Sequence, residues 1–128
     1  MTKKILYCDV DEKTTWRVSR KIRNAIVSGR PEVTVTERLD LALKVVREKN
    51  PDLILIGDFL EDGNGCDLAD NLREQGYSGI IIYAGKYPKT DIPRSREHAF
   101  NDFFQKPLLE QNDVDPLIDS VKRHLGYN

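Results

Sequence analysis

Acidic side chains and one lysine stand just after predicted strands of this chain, where they could meet and do chemistry. The acids that follow the first and third predicted strands are Asp9, Asp11, Glu12, Asp58, Glu61 and Asp62. The lysine is Lys106, which follows the last predicted strand and precedes Pro107. Carboxylates gathered opposite a lysine could hold Mg²⁺ and accept a phosphoryl group on one carboxylate. The alternative is that each acid is an ordinary solvated loop residue.

Short apolar runs alternate along the chain with amphipathic segments, and this pattern predicts the elements that position those side chains. The predicted strands are Lys4–Cys8, Val33–Glu37, Leu53–Ile56, Gly79–Tyr83 and Asp102–Gln105. The predicted helices are Asp11–Val27, Leu39–Lys49, Cys66–Gln75, a short Arg94–Phe100 and Asp113–Leu125. The EDGNG sequence between the third strand and the third helix predicts a turn.

Alternating strands and helices indicate an α/β fold, in which a parallel sheet is covered by helices on both faces. The third and fourth predicted strands, LILI and GIIIY, are continuously apolar, as strands buried on both faces are. In such sheets the functional site lies at the carboxyl ends of the strands. The sequence therefore predicts that the acids and Lys106 meet at one edge of the sheet.

Length, charge and cysteine content bound the functions that the chain can have. Its 128 residues fit a single domain, residues 1–128, and are enough for a hydrophobic core. The formal net charge of −1 gives no whole-molecule attraction to nucleic acid or an anionic membrane, and the apolar runs are only strand-length. Cys8 and Cys66 form no CxxC motif and no metal-ligand set, which favours a reducing compartment. We therefore expect a cytoplasmic protein with no nucleic-acid partner and no membrane partner.

From end to end the chain resembles the receiver domain of bacterial two-component response regulators. The matching segments are KILYCDVDE, NPDLILI, LEDGNG, GIIIYAG and DFFQKP. The resemblance implies a flavodoxin-like (βα)5 three-layer sandwich, whose five parallel strands have the order 2-1-3-4-5. It also implies a role in a phosphorelay for signal transduction. The protein partner would be a histidine kinase, which phosphorylates an aspartate ending the third strand, or a downstream effector protein.

The resemblance assigns the family's pocket positions to residues of this chain, and some of these match the family pattern. Asp9 stands at the first of the two acids that bind Mg²⁺ in the family. Lys106 stands at the lysine that completes the pocket. Phe103, three residues earlier, stands at the aromatic residue that reports the switch. On this basis Lys106 is a candidate catalytic residue, and Asp9 and Phe103 are candidate pocket residues.

Other pocket positions depart from the family pattern. Val10 stands where the second acid belongs, and a valine cannot ligate a metal. Gly57 falls on the phosphoacceptor position, so that Asp58 comes one residue late. Ala84 replaces the hydroxyl residue and offers no hydrogen-bond donor. Because successive strand residues point to opposite faces, a carboxylate at position 58 should not take the direction of one at position 57.

These departures leave three functions open. In the first, which is our prediction, the domain is a pseudo-receiver that needs no cofactor and acts by protein–protein contact, with Lys106 permanently paired with Asp9 or Asp58. In the second, a bulge at Gly57 turns Asp58 into the pocket as a displaced phosphoacceptor. Mg²⁺ would then be held by Asp9, Asp11 and Asp58, and the chain would be an enzyme only in catalysing its own phosphorylation. In the third, the fold binds a small ligand.

Overall fold

The computed structural model describes residues 2–127 and contains a five-stranded sheet in which every neighbouring pair is parallel. The strands are β1 (Lys4–Cys8), β2 (Glu32–Thr36), β3 (Leu53–Ile56), β4 (Ile80–Gly85) and β5 (Asp102–Gln105). Their order across the sheet is β2-β1-β3-β4-β5. This confirms the predicted flavodoxin-like architecture and the 2-1-3-4-5 order.

Helices connect the strands and pack on the sheet. They are α1 (Glu12–Ala25), α2 (Leu39–Lys49), α3 (Gly65–Glu74), the short α4 (Arg94–Glu97) and α5 (Gln111–Leu125). A 3₁₀ turn at Lys89–Asp91 precedes α4. No helix within residues 2–127 has the length and apolar character that crossing a membrane requires.

Side-chain alternation along β3 divides the core into two clusters, one on each face of the sheet. Leu53 and Leu55 pack with the apolar stripes of α1 and α5. Ile54 and Ile56 pack with those of α2 and α3. All four side chains are fully buried. Because both faces of β3 are covered, its sequence is apolar at every position, and its polar neighbours are confined to the strand ends.

The structure corrects several predicted helix boundaries. Asp11 is the N-cap of α1 rather than its first residue, since its carboxylate accepts the Thr14 N–H at 3.2 Å. At the other end α1 stops at Ala25, before Val27. The predicted helix Arg94–Phe100 ends at Glu97, because the Ala99 and Phe100 N–H groups form turn bonds three residues back.

Four further predicted elements have bounds that are wrong by one or two residues. α3 covers Gly65–Glu74 and not the predicted Cys66–Gln75. β2 lies one residue earlier than predicted, in register with β1 from Lys4 onward. β4 begins at Ile80, one residue after the predicted Gly79, and runs on to Gly85, since Ala84 and Gly85 pair with β5. α5 begins at Gln111, before the predicted Asp113.

A small hairpin overlaps the EDGNG segment, which was predicted only as a turn. Phe59–Leu60 pairs antiparallel with Gly63–Asn64, so Glu61 and Asp62 form its tip. The Asp62 carboxylate accepts the Leu39 N–H at 2.6 Å, which ties the tip to the start of α2. The hairpin fixes how the chain leaves β3, and therefore which way the residues just after β3 face.

Candidate functional site

Lys106 forms a partly buried ion cluster at the carboxyl edge of the sheet. Its Nζ lies 2.8 Å from Asp9 Oδ2 and 2.9 Å from Asp11 Oδ2. Asp9 directly follows β1 and Lys106 directly follows β5, so the parallel sheet brings them together. Their side chains are only 3% and 9% exposed, which makes this a desolvated pair. We call Asp9, Asp11 and Lys106 the lysine triad.

Contacts within the lysine triad favour the charged forms of Lys106 and Asp11. Burial alone would lower the pKa of Lys106, but its hydrogen bonds to Asp9 and Asp11 outweigh burial and raise that pKa. Burial alone would raise the pKa of Asp11, but hydrogen bonds from Thr14 and Lys106 lower that pKa to about 2. At Asp9 burial prevails, and it raises the pKa of that carboxyl against the opposing contact with Lys106. The ammonium and the Asp11 carboxylate therefore stay charged throughout the neutral range.

Gly57, the position assigned to the phosphoacceptor, lies against the lysine triad. A β-carbon built on Gly57 would lie 2.1 Å from Asp9 Oδ2 and 2.3 Å from Asp9 Cγ. Atoms that are not bonded cannot approach so closely, so the Asp9 carboxylate occupies the space that a side chain at position 57 would need. The Gly57 N–H also donates to the Cys8 carbonyl at 2.9 Å, which holds the ends of β1 and β3 together.

Asp58 faces the end of β4 and makes its hydrogen bonds there. Its Oδ1 accepts the Tyr83 hydroxyl, and its Oδ2 accepts the Lys86 N–H at 2.7 Å. The Tyr83 hydroxyl in turn accepts the Tyr87 N–H at 3.1 Å. Burial, together with the hydrogen bond to Asp58, raises the pKa of Tyr83. The structure thus gives Asp58 partners on β4 and in the segment after it, and Lys106 pairs with Asp11 in addition to Asp9.

The residues at the remaining positions of the family pocket are apolar. Ala84 is fully buried on β4. Val10 is 38% exposed, between the two acids of the lysine triad in sequence. Phe103 packs against Tyr83 with 6.2 Å between ring centroids. Tyr83 therefore joins the Phe103 position to Asp58, a link that was not part of the sequence prediction.

The side chains at this edge do not fit a Mg²⁺ ion. Mg²⁺ demands near-octahedral oxygen coordination, and a nearby ammonium competes for the same carboxylates. The Lys106 ammonium already lies between Asp9 and Asp11, while Asp58 bonds to β4 instead. Among residues 2–127, no group of three or more Asp, Glu, His or Cys is arranged to hold a metal ion.

Sequence comparison finds relatives among signalling proteins, although no family model matches the chain. The chain is 26% identical over 120 residues to the sensory transduction protein LytR of Streptococcus agalactiae, covering 94% of this chain and 48% of LytR. It is 30% identical over 87 residues to the DNA-binding response regulator MtrA of Mycobacterium tuberculosis, covering 68% of this chain and 36% of MtrA. The chain thus spans less than half the length of these curated relatives.

Solved structures share the whole architecture. The signal receiver domain of a candidate LuxO repressor from Vibrio parahaemolyticus superposes with a TM-score of 0.84 at 19% identity, covering 98% of this chain and 92% of that one. The BeF3-activated receiver domain of DrrB superposes with a TM-score of 0.79 at 20% identity, covering 98% and 99%. At these identities the likeness shows the fold alone.

Proposed function

This chain is a receiver-type domain of the response-regulator kind, and from that premise we propose that it is a pseudo-receiver. In this proposal the domain transmits a signal by contact with a partner protein, either a histidine kinase or a downstream effector. It does so without a phosphoryl group at the position that the family normally uses. Both cysteines are free thiols, which fits a reducing cytoplasm.

The observation that carries the proposal is the position of the Asp9 carboxylate. It fills the space beside Gly57 in which an acceptor side chain would stand, and Lys106 holds it there at 2.8 Å. The lysine that would contact a phosphoryl group is thus already neutralised by two carboxylates of its own chain. A phosphoryl group approaching this edge would meet two negative charges and no unpaired cation of the lysine triad.

The contacts of the lysine triad also affect how the domain could switch between conformations. A ligand shifts a conformational equilibrium only if it binds the two states differently. In the proposal, phosphorylation and Mg²⁺ do not supply that difference, because the lysine triad occupies their place in every state in which Lys106 keeps its contacts with Asp9 and Asp11. The partner protein must then bind the one conformation that the domain already has, or change that conformation by its own binding.

Phosphorylation by a small donor tests the proposal. We expect no phosphoryl adduct in the intact mass after incubation of the whole chain with MgCl₂ and acetyl phosphate, because Asp58 lacks both a facing lysine and a metal site. A receiver domain with an intact pocket serves as the positive control. The matched variants are Asp58→Asn and Asp119→Asn, the second being an exposed acid on α5. An adduct that forms on the wild type and on Asp119→Asn but disappears in Asp58→Asn contradicts the proposal.

A further inference from the structure

A cleft of about 490 Å³ lies next to the lysine triad, on the β4 side of Asp58. Its walls come from the hairpin, the start of α3, β4 and the segment that leads into α4. The lining residues that matter here are Asp58, Phe59, Tyr83, Tyr87, Asp91 and Arg96. The volume is in the range of natural small-molecule sites, which are about 300–1,000 Å³. The residues of the lysine triad do not line this cleft.

Aromatic side chains line the cleft from different elements of the fold. Phe59 stands on the hairpin and is 51% exposed, whereas Tyr87 follows β4 and is 49% exposed. Tyr83 contributes a third ring, which is buried and held by its bonds to Asp58 and Tyr87. Exposed aromatic rings grouped at a concave site are typical of ligand-binding surfaces. The faces of such rings also attract cations.

The charges in the cleft are acidic overall. Asp58 and Asp91 both line it, and Asp91 forms no salt bridge with any residue of the 2–127 range. Each Asp58 oxygen accepts one hydrogen bond and retains a second acceptor position. Among the lining residues of the 2–127 range, the one cation is Arg96, and it pairs with two carboxylates of α3, those of Asp67 at 2.5 Å and Asp70 at 3.5 Å.

We propose that this cleft binds a small organic cation, an amine or guanidine attached to an apolar body. The aromatic walls would cover the apolar body, and the Asp58 and Asp91 carboxylates would pair with the charge. An anionic ligand is disfavoured, because the single lining cation is already neutralised. This inference goes beyond the proposed function. It also gives Asp58 a role. Asp58 stands one residue after the family's phosphoacceptor position, and it lines this cleft instead of contacting Lys106.

Binding of the probe phenethylamine to the whole chain tests the inference, with no phosphoryl donor present. Its ammonium is charged at neutral pH, as that of lysine is. The neutral control is 2-phenylethanol, which has the same apolar body. In an NMR titration we expect phenethylamine to shift the amide signals of residues 58–59, 86–87 and 89–92 saturably. We expect 2-phenylethanol to bind about tenfold more weakly, because it lacks the ammonium and therefore loses one partly exposed charged contact.

Variants separate the two kinds of contact. Asp91→Asn removes one charge and is expected to weaken phenethylamine binding about fivefold, and Tyr87→Leu removes one aromatic wall and should cost about threefold. Both positions are exposed, so the fold should persist. Asp119→Asn on α5 is the matched control and should bind as the wild type does. Equal affinity for the amine and the alcohol, no saturable shift with either, or unchanged binding in both cleft variants would each overturn the inference.

Discussion

Replacing Lys106 with methionine is expected to lower the free energy of unfolding by about 3 kcal/mol, because it leaves a buried carboxylate without its counter-ion. Methionine keeps most of the apolar stem of lysine, so the loss of unfolding free energy measures what the ammonium contributes through its contacts with Asp9 and Asp11. Urea denaturation at neutral pH measures the change. The matched control is Lys44→Met, since Lys44 meets Glu48 at 4.0 Å on the exposed face of α2. That variant should differ from the wild type by less than about 0.5 kcal/mol.

The pH dependence of the Lys106→Met effect has a definite sign. The folded chain raises the pKa of Lys106 above its ordinary value of 10.5, so the lysine contributes its full stabilisation below 10.5. The stabilisation declines as pH rises from 10.5 through the higher pKa of the folded state. The difference between the wild type and the variant should therefore be constant across neutral pH and shrink above 10.5. A variant as stable as the wild type at neutral pH would show that the lysine triad does not hold this edge of the sheet.

Gly57→Ala is expected to lower the free energy of unfolding by about 2 kcal/mol, the cost of forcing one extra carbon into a filled space. The new β-carbon would lie 2.1 Å from Asp9 Oδ2, and all its closest neighbours belong to Asp9. The Asp9 carboxylate must then move from the position in which it accepts the Lys106 ammonium at 2.8 Å. Thermal or urea unfolding of the single variant measures this cost.

A double-mutant cycle shows whether Asp9 is the cause. In an Asp9→Ala background the space beside position 57 is empty, so Gly57→Ala should cost little. The coupling between the two substitutions should then be about as large as the cost of Gly57→Ala alone. Additive effects would mean that position 57 is restricted by something other than the Asp9 carboxylate.

The fold was predictable from the sequence, because its signals are local. Leu53–Ile56 and Leu39–Lys49 have the predicted bounds, since a continuously apolar run and a helix ended by Asn50 before Pro51 leave few alternatives. The bounds of β2 and β4 differ because strand ends are set by pairing with a neighbour, which the chain's own pattern does not encode. The hairpin at Phe59–Asn64 is too short to produce a periodic signal.

The site was predictable only in part. The pairing of Lys106 with Asp9 follows from their places after β5 and β1, and the exclusion of a side chain at position 57 fits the glycine there. The contact between Asp58 and Tyr83 was not predictable, because it depends on how the hairpin turns the chain after β3. Tyr83 did carry a signal, since a tyrosine at the end of a buried strand needs a partner for its hydroxyl. That signal does not say which partner it has.

A Mg²⁺ titration followed by NMR measures whether the ion binds at the edge occupied by the lysine triad. An isotope-labelled sample of the chain is titrated with MgCl₂ to about 20 mM, well above the range of ordinary carboxylate sites, and the amide signals of residues 9–11 and 57–58 are followed against a KCl titration of equal ionic strength. We predict that the two titrations give the same small, unsaturated shifts, because the Lys106 ammonium already lies in contact with both the Asp9 and the Asp11 carboxylate. Saturable Mg²⁺-specific shifts at Asp9, Gly57 and Asp58 would contradict the account.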